Sequence, residues 1–164
     1  MKHFIILLFA LFIKQDAFSQ VDSCDGTISF RFDKFENKYT LETKFSDEKT
    51  FDVFPIVFSK VIGSGKTSYY VYLSTDRSSP DYSLKGVTIL LSNGKRITRP
   101  VLKVDCEYMN SSSEWSFSAF FELSQTELNL LCSTYITDFR LGYIDVECMS
   151  SIKSVLVVRE CFCV

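Results

Sequence analysis

Five consecutive residues, Gly63-Ser64-Gly65-Lys66-Thr67, are of the types that bind phosphate in nucleotide-hydrolysing proteins. A phosphate-binding loop also needs a glycine five residues before its Gly-Lys-Thr unit, and Lys60 occupies that position. It further needs a helix that begins at the lysine, so that backbone amides face the phosphates. The aromatic and β-branched run of residues 68–75 is typical of a strand instead. We therefore expect these glycines to form a flexible connection between two strands.

The only histidine, His3, lies in a segment with the layout of an export signal. A basic start precedes ten apolar residues, Phe4 to Ile13, and small residues at Ala17 and Ser19 mark a cleavage site. The sequence thus predicts a signal peptide over residues 1–19, followed by a single β-rich domain over residues 20–164. The mature chain then has no imidazole, which excludes the usual Ser-His-Asp, Cys-His and histidine-ligated zinc sites.

The charge of the mature chain is mildly negative. The full chain has 18 basic and 20 acidic residues, and the signal contains Lys2, Lys14 and Asp16, so 16 basic and 19 acidic residues remain. This balance gives no general attraction to nucleic acid or to anionic lipid. No stretch of the mature chain is long and apolar enough to span a membrane, so no transmembrane segment is expected.

The chain has an even number of cysteines: Cys24, Cys106, Cys132, Cys148, Cys161 and Cys163. In an exported chain this favours disulfides, because the compartment is oxidising. A bridge from Cys24 to Cys161 or Cys163 would close the domain end to end. The alternative is that the Cys161-Phe162-Cys163 pair acts in redox chemistry or metal binding.

Two carboxylates on one strand, Asp145 and Glu147, could in principle flank a glycosidic bond. Neighbours of this kind usually point into solvent, and nothing nearby indicates a cleft. The sequence therefore predicts no catalytic residue, no metal site and no cofactor, and we expect that the protein is not an enzyme.

Aromatic side chains are the remaining candidates for a binding site. Tyr69, Tyr70 and Tyr72 lie on one predicted strand and Trp115 begins another. Exposed rings could stack on sugars or hold a peptide, whereas the favoured alternative is that they fill and border the core.

Alternation of apolar and polar residues is the dominant pattern of the mature chain. It predicts half-buried strands, of which the clearest begin at Ile28, Tyr39, Val87, Leu102 and Trp115. Asn93-Gly94 predicts a type I′ hairpin turn within residues 86–99.

The pattern changes after Leu123. Ser124 and Glu127 form a capping box, with a short helix expected to about Cys132. Within residues 136–148, the positions expected to face inward change from odd-numbered to even-numbered beside Gly142. This change predicts a bulge or a sharp bend. Residues 150–164 fit a helix or a terminal strand. Together these elements predict a mainly β fold, an antiparallel β-sandwich with one or two short helices near the C-terminus, or alternatively a closed β-barrel.

Several short motifs recur in the same order in one group of proteins: Ala17-Phe18-Ser19-Gln20, Cys24, Asp33-x-Phe35 followed by Thr40 or Thr43, Asn93-Gly94, Leu123-Ser124-x-x-Glu127-Leu128, Phe139-Arg140-Leu141 and a terminal cysteine. In this order the chain resembles small exported proteins of unknown function from Bacteroidetes-type bacteria. That group has no known activity, so the resemblance implies export and bacterial origin and transfers no site residue. Cys163 departs from the pattern, and no disulfide pairing is transferred.

The sequence favours a non-enzymatic protein of the periplasm or the extracellular space that binds another protein, a glycan or an envelope component. A β-barrel carrier of a small apolar ligand is the second hypothesis, and an enzyme that uses carboxylates or a dithiol is the third.

Overall fold

The computed structural model describes residues 28–43, 56–148 and Phe162. These segments contain ten strands and one helix. The strands are β1 (Ile28–Asp33), β2 (Lys38–Thr43), β3 (Ile56–Gly63), β4 (Lys66–Arg77), β5 (Lys85–Leu91), β6 (Arg96–Lys103), β7 (Asp105–Met109), β8 (Glu114–Leu123), β9 (Ile136–Leu141) and β10 (Ile144–Glu147), and the helix is α1 (Gln125–Ser133). The strand β3 is the first of the two strands that Gly63 and Gly65 were expected to connect.

The strands form two antiparallel sheets. The larger sheet has the order β1-β2-β3-β4-β8-β7 and the smaller has the order β10-β9-β5-β6. Within the described segments each sheet ends in two edge strands, so neither closes on itself. The predicted antiparallel sandwich is confirmed, and the closed-barrel alternative is wrong for these segments.

Alternation along the central strands produces the core. In β8 every second residue from Phe117 to Leu123 is buried, and in β4 Val71 and Leu73 are fully buried. The facing strand β5 contributes buried residues in the same period-2 pattern. These side chains belong to one hydrophobic cluster, in which β5 and β9 of the smaller sheet meet β3, β4 and β8 of the larger one.

One predicted strand is in fact two. The strand expected from Leu102 to Tyr108 breaks at Val104, where the chain leaves the smaller sheet as β6 and enters the larger one as β7. Val104 is fully buried, and its amide donates to the carbonyl of Leu84 at 3.1 Å. The alternation of apolar and polar residues continues through the break, so the crossing could not be predicted from the pattern.

The β5–β6 hairpin has a different turn from the one predicted. A type I′ turn needs positive φ at both central residues, but of the Asn93-Gly94 pair only Gly94 has one, at 78°. The amide of Gly94 donates to the carbonyl of Leu91 at 2.8 Å, and the side chain of Asn93 accepts from the amide of Lys95. Glycine thus supplies a single left-handed residue at the end of the turn.

The predicted bend beside Gly142 is a two-residue hairpin turn. Leu141 pairs with Ile144, which leaves Gly142 and Tyr143 as the turn, and Gly142 has a φ of 61°. The reversal separates β9 from β10, and this explains the change of parity.

The capping box is confirmed. The side chain of Ser124 accepts from the amide of Glu127, and the carboxylate of Glu127 accepts from the amide of Ser124. No described helix is long and apolar enough to cross a membrane. The helix or strand predicted for residues 150–164 lies outside the described segments except at Phe162, which is helical and buried.

Candidate functional site

Two of the predicted binding aromatics lie on the outer face of the larger sheet. Since Val71 and Leu73 point into the core, Tyr70 and Tyr72 on the same strand point away from it. Strand β8 pairs with β4 so that Phe120 lies opposite Tyr72. The rings of Tyr70 and Phe120 are nearly parallel, with centroids 5.0 Å apart and an interplanar angle of 12°. We call Tyr70, Tyr72 and Phe120 the outer aromatic cluster.

The outer aromatic cluster is accessible. Phe120 is 55% exposed, although it lies in the interior of a six-stranded sheet. Tyr70 and Tyr72 are each half-buried. A large apolar side chain with this exposure stabilises the fold little, because most of its surface stays in water.

Small hydroxyl side chains border the outer aromatic cluster. Ser59 lies opposite Tyr70 on β3, and Ser74 lies opposite Ser118 across the β4–β8 pair. Ser59 and Ser74 are buried, and Ser118 is half-buried. Of these three hydroxyl groups, that of Ser118 is the one accessible enough to offer a hydrogen bond beside the rings.

One carboxylate stands at the edge of the cluster. Glu122 lies opposite Tyr70 and is exposed. A hydrogen bond from Ser68 and the nearby charge of Lys66, whose Nζ is 3.5 Å from Oε1, hold the pKa of Glu122 below its usual value. Glu122 is thus an ionised hydrogen-bond acceptor beside the rings, with a cation next to it.

The other two predicted aromatics do not join this cluster. Tyr69 points to the inner face, where Lys60 Nζ lies 5.7 Å from the centre of its ring. Trp115 lies at the far end of β8 and packs against Tyr82 and Tyr108, with centroids 5.7 and 5.1 Å away. The predicted set of four is therefore divided among three places, and only Tyr70 and Tyr72 share a surface.

A shallow depression adjoins the cluster and is lined partly by Arg99 and Gln125. Arg99 donates from both terminal nitrogens to the two carboxylate oxygens of Glu127, each at 2.8 Å. The guanidinium also lies over the ring of Phe121, 4.8 Å from its centre. Since its donors are engaged, Arg99 joins the smaller sheet to α1 and β8 rather than offering charge to a ligand.

The glycine-rich stretch is a hairpin turn. Gly63 pairs with Lys66, so Ser64 and Gly65 form a two-residue turn between β3 and β4. Both have positive φ, 51° and 74°, as a type I′ turn requires. A strand and not a helix begins at Lys66, and the rejection of a phosphate-binding loop is confirmed, although the connection is a tight turn rather than a flexible one.

The carboxylate pair is exposed on the smaller sheet. Arg140 donates from Nε and Nη2 to both oxygens of Asp145, which lowers the pKa of that carboxyl. Glu147 lies opposite Asp138, another carboxylate. In residues 28–43 and 56–148, no three His, Cys, Asp or Glu side chains lie close enough together to hold a metal ion.

Three of the predicted disulfide cysteines lie in the described segments. Cys132 is disulfide-bonded, whereas Cys106 and Cys148 are free, so no disulfide joins two cysteines of these segments. The prediction of bridges at Cys106 and Cys148 is wrong, since both thiols are free, and both side chains pack against the core as small apolar groups. Burial, with Asp138 and Glu147 nearby, raises the pKa of Cys148 to about 11, and its thiol is therefore a weak nucleophile. Cys24, Cys161 and Cys163 lie outside the described segments.

Comparison with known proteins adds no relative. No family model, no curated protein and no solved structure matches the chain.

Sequence reasoning missed Phe120. The alternation of β8 assigned its neighbours Phe117, Ala119 and Phe121 to the core, and Phe120 falls between them on the polar parity. The available signal was the residue type: a large apolar side chain stands at a position that the alternation assigns to solvent.

Proposed function

We propose that this chain is a non-enzymatic binding protein of the periplasm or extracellular space, and that it holds a glycan on the outer aromatic cluster. The observation that carries the proposal is the parallel pair of Tyr70 and Phe120, with Phe120 more than half exposed in the interior of a sheet. The signal peptide that the sequence predicts over residues 1–19 supports the location.

The chemistry of the surface fits a sugar. The C–H face of a sugar ring is apolar and weakly positive, and it packs on the negative face of an aromatic ring. Sugar hydroxyls need donors and acceptors at the same place, and Ser118, Glu122 and Lys66 stand beside the rings. Recognition by a few polar groups around apolar contact is the usual composition of a small-ligand site.

Other ligand classes fit this surface less well. An extended peptide is commonly bound by strand addition at a free sheet edge, but β4 and β8 each have a partner strand on both sides. Single-stranded nucleic acid also stacks on rings, but its phosphates need a basic groove, and here Glu122 adjoins the cluster. The apolar-ligand carrier loses its basis because, in residues 28–43 and 56–148, neither sheet closes around an interior.

The test is affinity electrophoresis of the full mature chain through gels that contain defined neutral polysaccharides. At least one polysaccharide should retard the protein, and Phe120→Ala should weaken that binding by about tenfold, since stacking on one ring contributes roughly 1–3 kcal/mol. Tyr135→Ala is the matched control, because Tyr135 is also exposed, at 43%, and lies outside the cluster.

Retardation that Phe120→Ala and Tyr70→Ala leave unchanged would contradict the assignment of the site. Absence of retardation by every polysaccharide would contradict the ligand class.

A further inference from the structure

A second group of exposed rings lies on the opposite face of the larger sheet, at one corner. Phe30 and Phe32 of β1 and Tyr39 of β2 share the inner face with the core residues, because Phe30 pairs with Leu41 and Phe32 pairs with Tyr39. They are 62%, 45% and 41% exposed. Ile62, opposite Tyr39 on β3, is 38% exposed. We call Phe30, Phe32, Tyr39 and Ile62 the exposed corner.

Exposure is greatest at the corner end of the sheet. One row of paired inner-face residues runs from Leu123 of β8 through Tyr69, Lys60 and Leu41 to Phe30. Leu123 is 4% exposed, the three middle residues are half-buried, and Phe30 is 62% exposed. The larger sheet has two strands more than the smaller one, and within the described segments its inner face is exposed at this corner.

The rings of the exposed corner form a continuous ladder. Tyr39 lies between the two phenylalanines, 5.5 Å from the centroid of Phe30 and 4.6 Å from that of Phe32. Phe35, in the β1–β2 turn next to the ladder, is 88% exposed. Such a row offers ring faces and edges to a partner, and offset or edge-to-face contacts between rings stabilise by about 0.5–1.5 kcal/mol beyond burial.

The charges around the exposed corner balance one another, with three basic side chains (Arg31, Lys34, Lys38) and three acidic ones (Asp33, Glu36, Glu42) in residues 28–43. Lys34 lies over the ring of Phe35, 5.1 Å from its centre, and the carboxylate of Asp33 accepts from the amides of Phe35 and Glu36. Glu36 forms an ion pair with Lys38. Residues 28–43 thus carry equal numbers of basic and acidic side chains, and this balance selects neither a polyanion nor a polycation. The matching partner is another aromatic surface without excess charge.

The area of the patch matches what a small symmetric dimer needs. Taking about 200 Å² for each ring, the exposed fractions of Phe30, Phe32, Tyr39 and Phe35 leave roughly 500 Å² of aromatic surface in water. Two copies in contact would bury about 1,000 Å² of it, near the lower limit for a specific protein–protein interface. A patch of this size is comparable to the largest apolar patch of a typical monomer, about 300–600 Å², and such a patch is often an interaction site.

We propose that the exposed corner packs against the same corner of a second copy of this chain, related by a two-fold axis. A two-fold contact requires a patch that complements itself, and a row of rings does so because faces and edges can interleave with an identical row. This proposal does not depend on the glycan site, which lies on the other face of the sheet.

Sedimentation velocity of the full mature chain from 1 to 200 µM tests the proposal. We expect a concentration-dependent dimer, and we expect Phe30→Ser to raise the dimer dissociation constant about tenfold or more, because rings at the centre of an interface dominate its energy. Phe120→Ser is the matched control. Phe120 is 55% exposed and Phe30 is 62% exposed, but Phe120 lies on the outer face, and its substitution should leave the dimer unchanged.

A second variant, Phe32→Glu, brings like charges together across the axis and should give a monomer whose near-ultraviolet circular dichroism remains that of the folded protein. A monomeric wild-type chain at every concentration would overturn the proposal. So would a dimer that both substitutions in the corner leave intact. Sedimentation of the wild-type monomer with zwitterionic lipid vesicles, abolished by Phe30→Ser, would assign the corner to a membrane surface and overturn the dimer.

Discussion

The two halves of the inner face of the larger sheet have similar side chains but different surroundings. Phe117 and Leu73, in the half beneath the smaller sheet, are at most 1% exposed. Phe30 and Phe32, in the half formed by β1 and β2, are largely exposed on the same face. The difference shows that the direction of a side chain depends on its own strand, whereas its burial depends on whether a second layer lies opposite.

The largest effect is expected from truncation in the covered half. Phe117→Ala should lower the free energy of unfolding by about 3–5 kcal/mol, because it leaves a cavity among side chains that cannot close over it. Urea unfolding followed by fluorescence would measure the loss. A change below roughly 1 kcal/mol would mean that the covered half is not a packed core.

The next largest loss of stability is expected from a substitution in the β9–β10 turn, which lies against the core. In Gly142→Ala the new Cβ would overlap the side chain of Leu84, and the residue has a φ of 61° that favours glycine. We expect a loss of about 2–3 kcal/mol in thermal or urea unfolding.

Gly65→Ala is the control for this loss. Gly65 has a φ of 74°, but no atom lies within 4 Å of the position of a Cβ. The backbone cost alone is about 1 kcal/mol. Equal losses in the two variants would show that Leu84 yields to the methyl group and that the turn is not packed tightly.

The ion pair between Arg99 and Glu127, at the margin of the covered half, should make the stability of the folded protein depend on pH. Hydrogen bonds from Arg99, and then from Ser124, lower the pKa of Glu127 from 4.5 to about 2. A carboxyl with a depressed pKa in the folded state stabilises fully above its unfolded value, and this contribution is lost as pH falls. We therefore expect the stability of the wild-type protein to fall between about pH 4.5 and 2, by roughly 2 kcal/mol after allowance for solvent screening.

Glu127→Gln should remove most of this slope, as measured by urea unfolding at a series of pH values. Glu114→Gln, at the exposed start of β8, should keep it. A slope that survives in Glu127→Gln would assign the acid sensitivity to other carboxylates.

The smallest effect is expected in the uncovered half. Phe30→Ser should change the unfolding free energy of the monomer by no more than about 0.5 kcal/mol, because the side chain has little buried area to lose. The measurement is made at a protein concentration at which the chain is monomeric. A loss comparable to that of Phe117→Ala would show that the exposed corner is covered in solution within a single chain.

Local sequence patterns predicted where the strands and the helix lie better than they predicted which side chains are buried. The alternation of Phe117 to Leu123 and the capping box at Ser124 depend on neighbouring residues, and both were correct. The alternation of Ile28, Phe30 and Phe32 identified β1 equally well, but the predicted burial was wrong for Phe30 and Phe32. Strand order places them at the edge of the larger sheet, and strand order is a property of distant segments.

The candidate site was predicted in part for the same reason. Tyr70 and Tyr72 were recognised as candidates from their own strand. Their companion Phe120 lies 50 residues beyond Tyr70 and reaches it only through the pairing of β4 with β8. Trp115 belongs to the same strand as Phe120 but to the opposite face, and sequence spacing alone did not separate it from the tyrosines.

Val104 connects the two layers without any loop, since β6 ends at Lys103 and β7 begins at Asp105. Its amide hydrogen is buried and bonded to the carbonyl of Leu84, so it exchanges with solvent only when this junction opens. Deuterium uptake at this one amide therefore reports how often the chain opens where it passes from one sheet to the other.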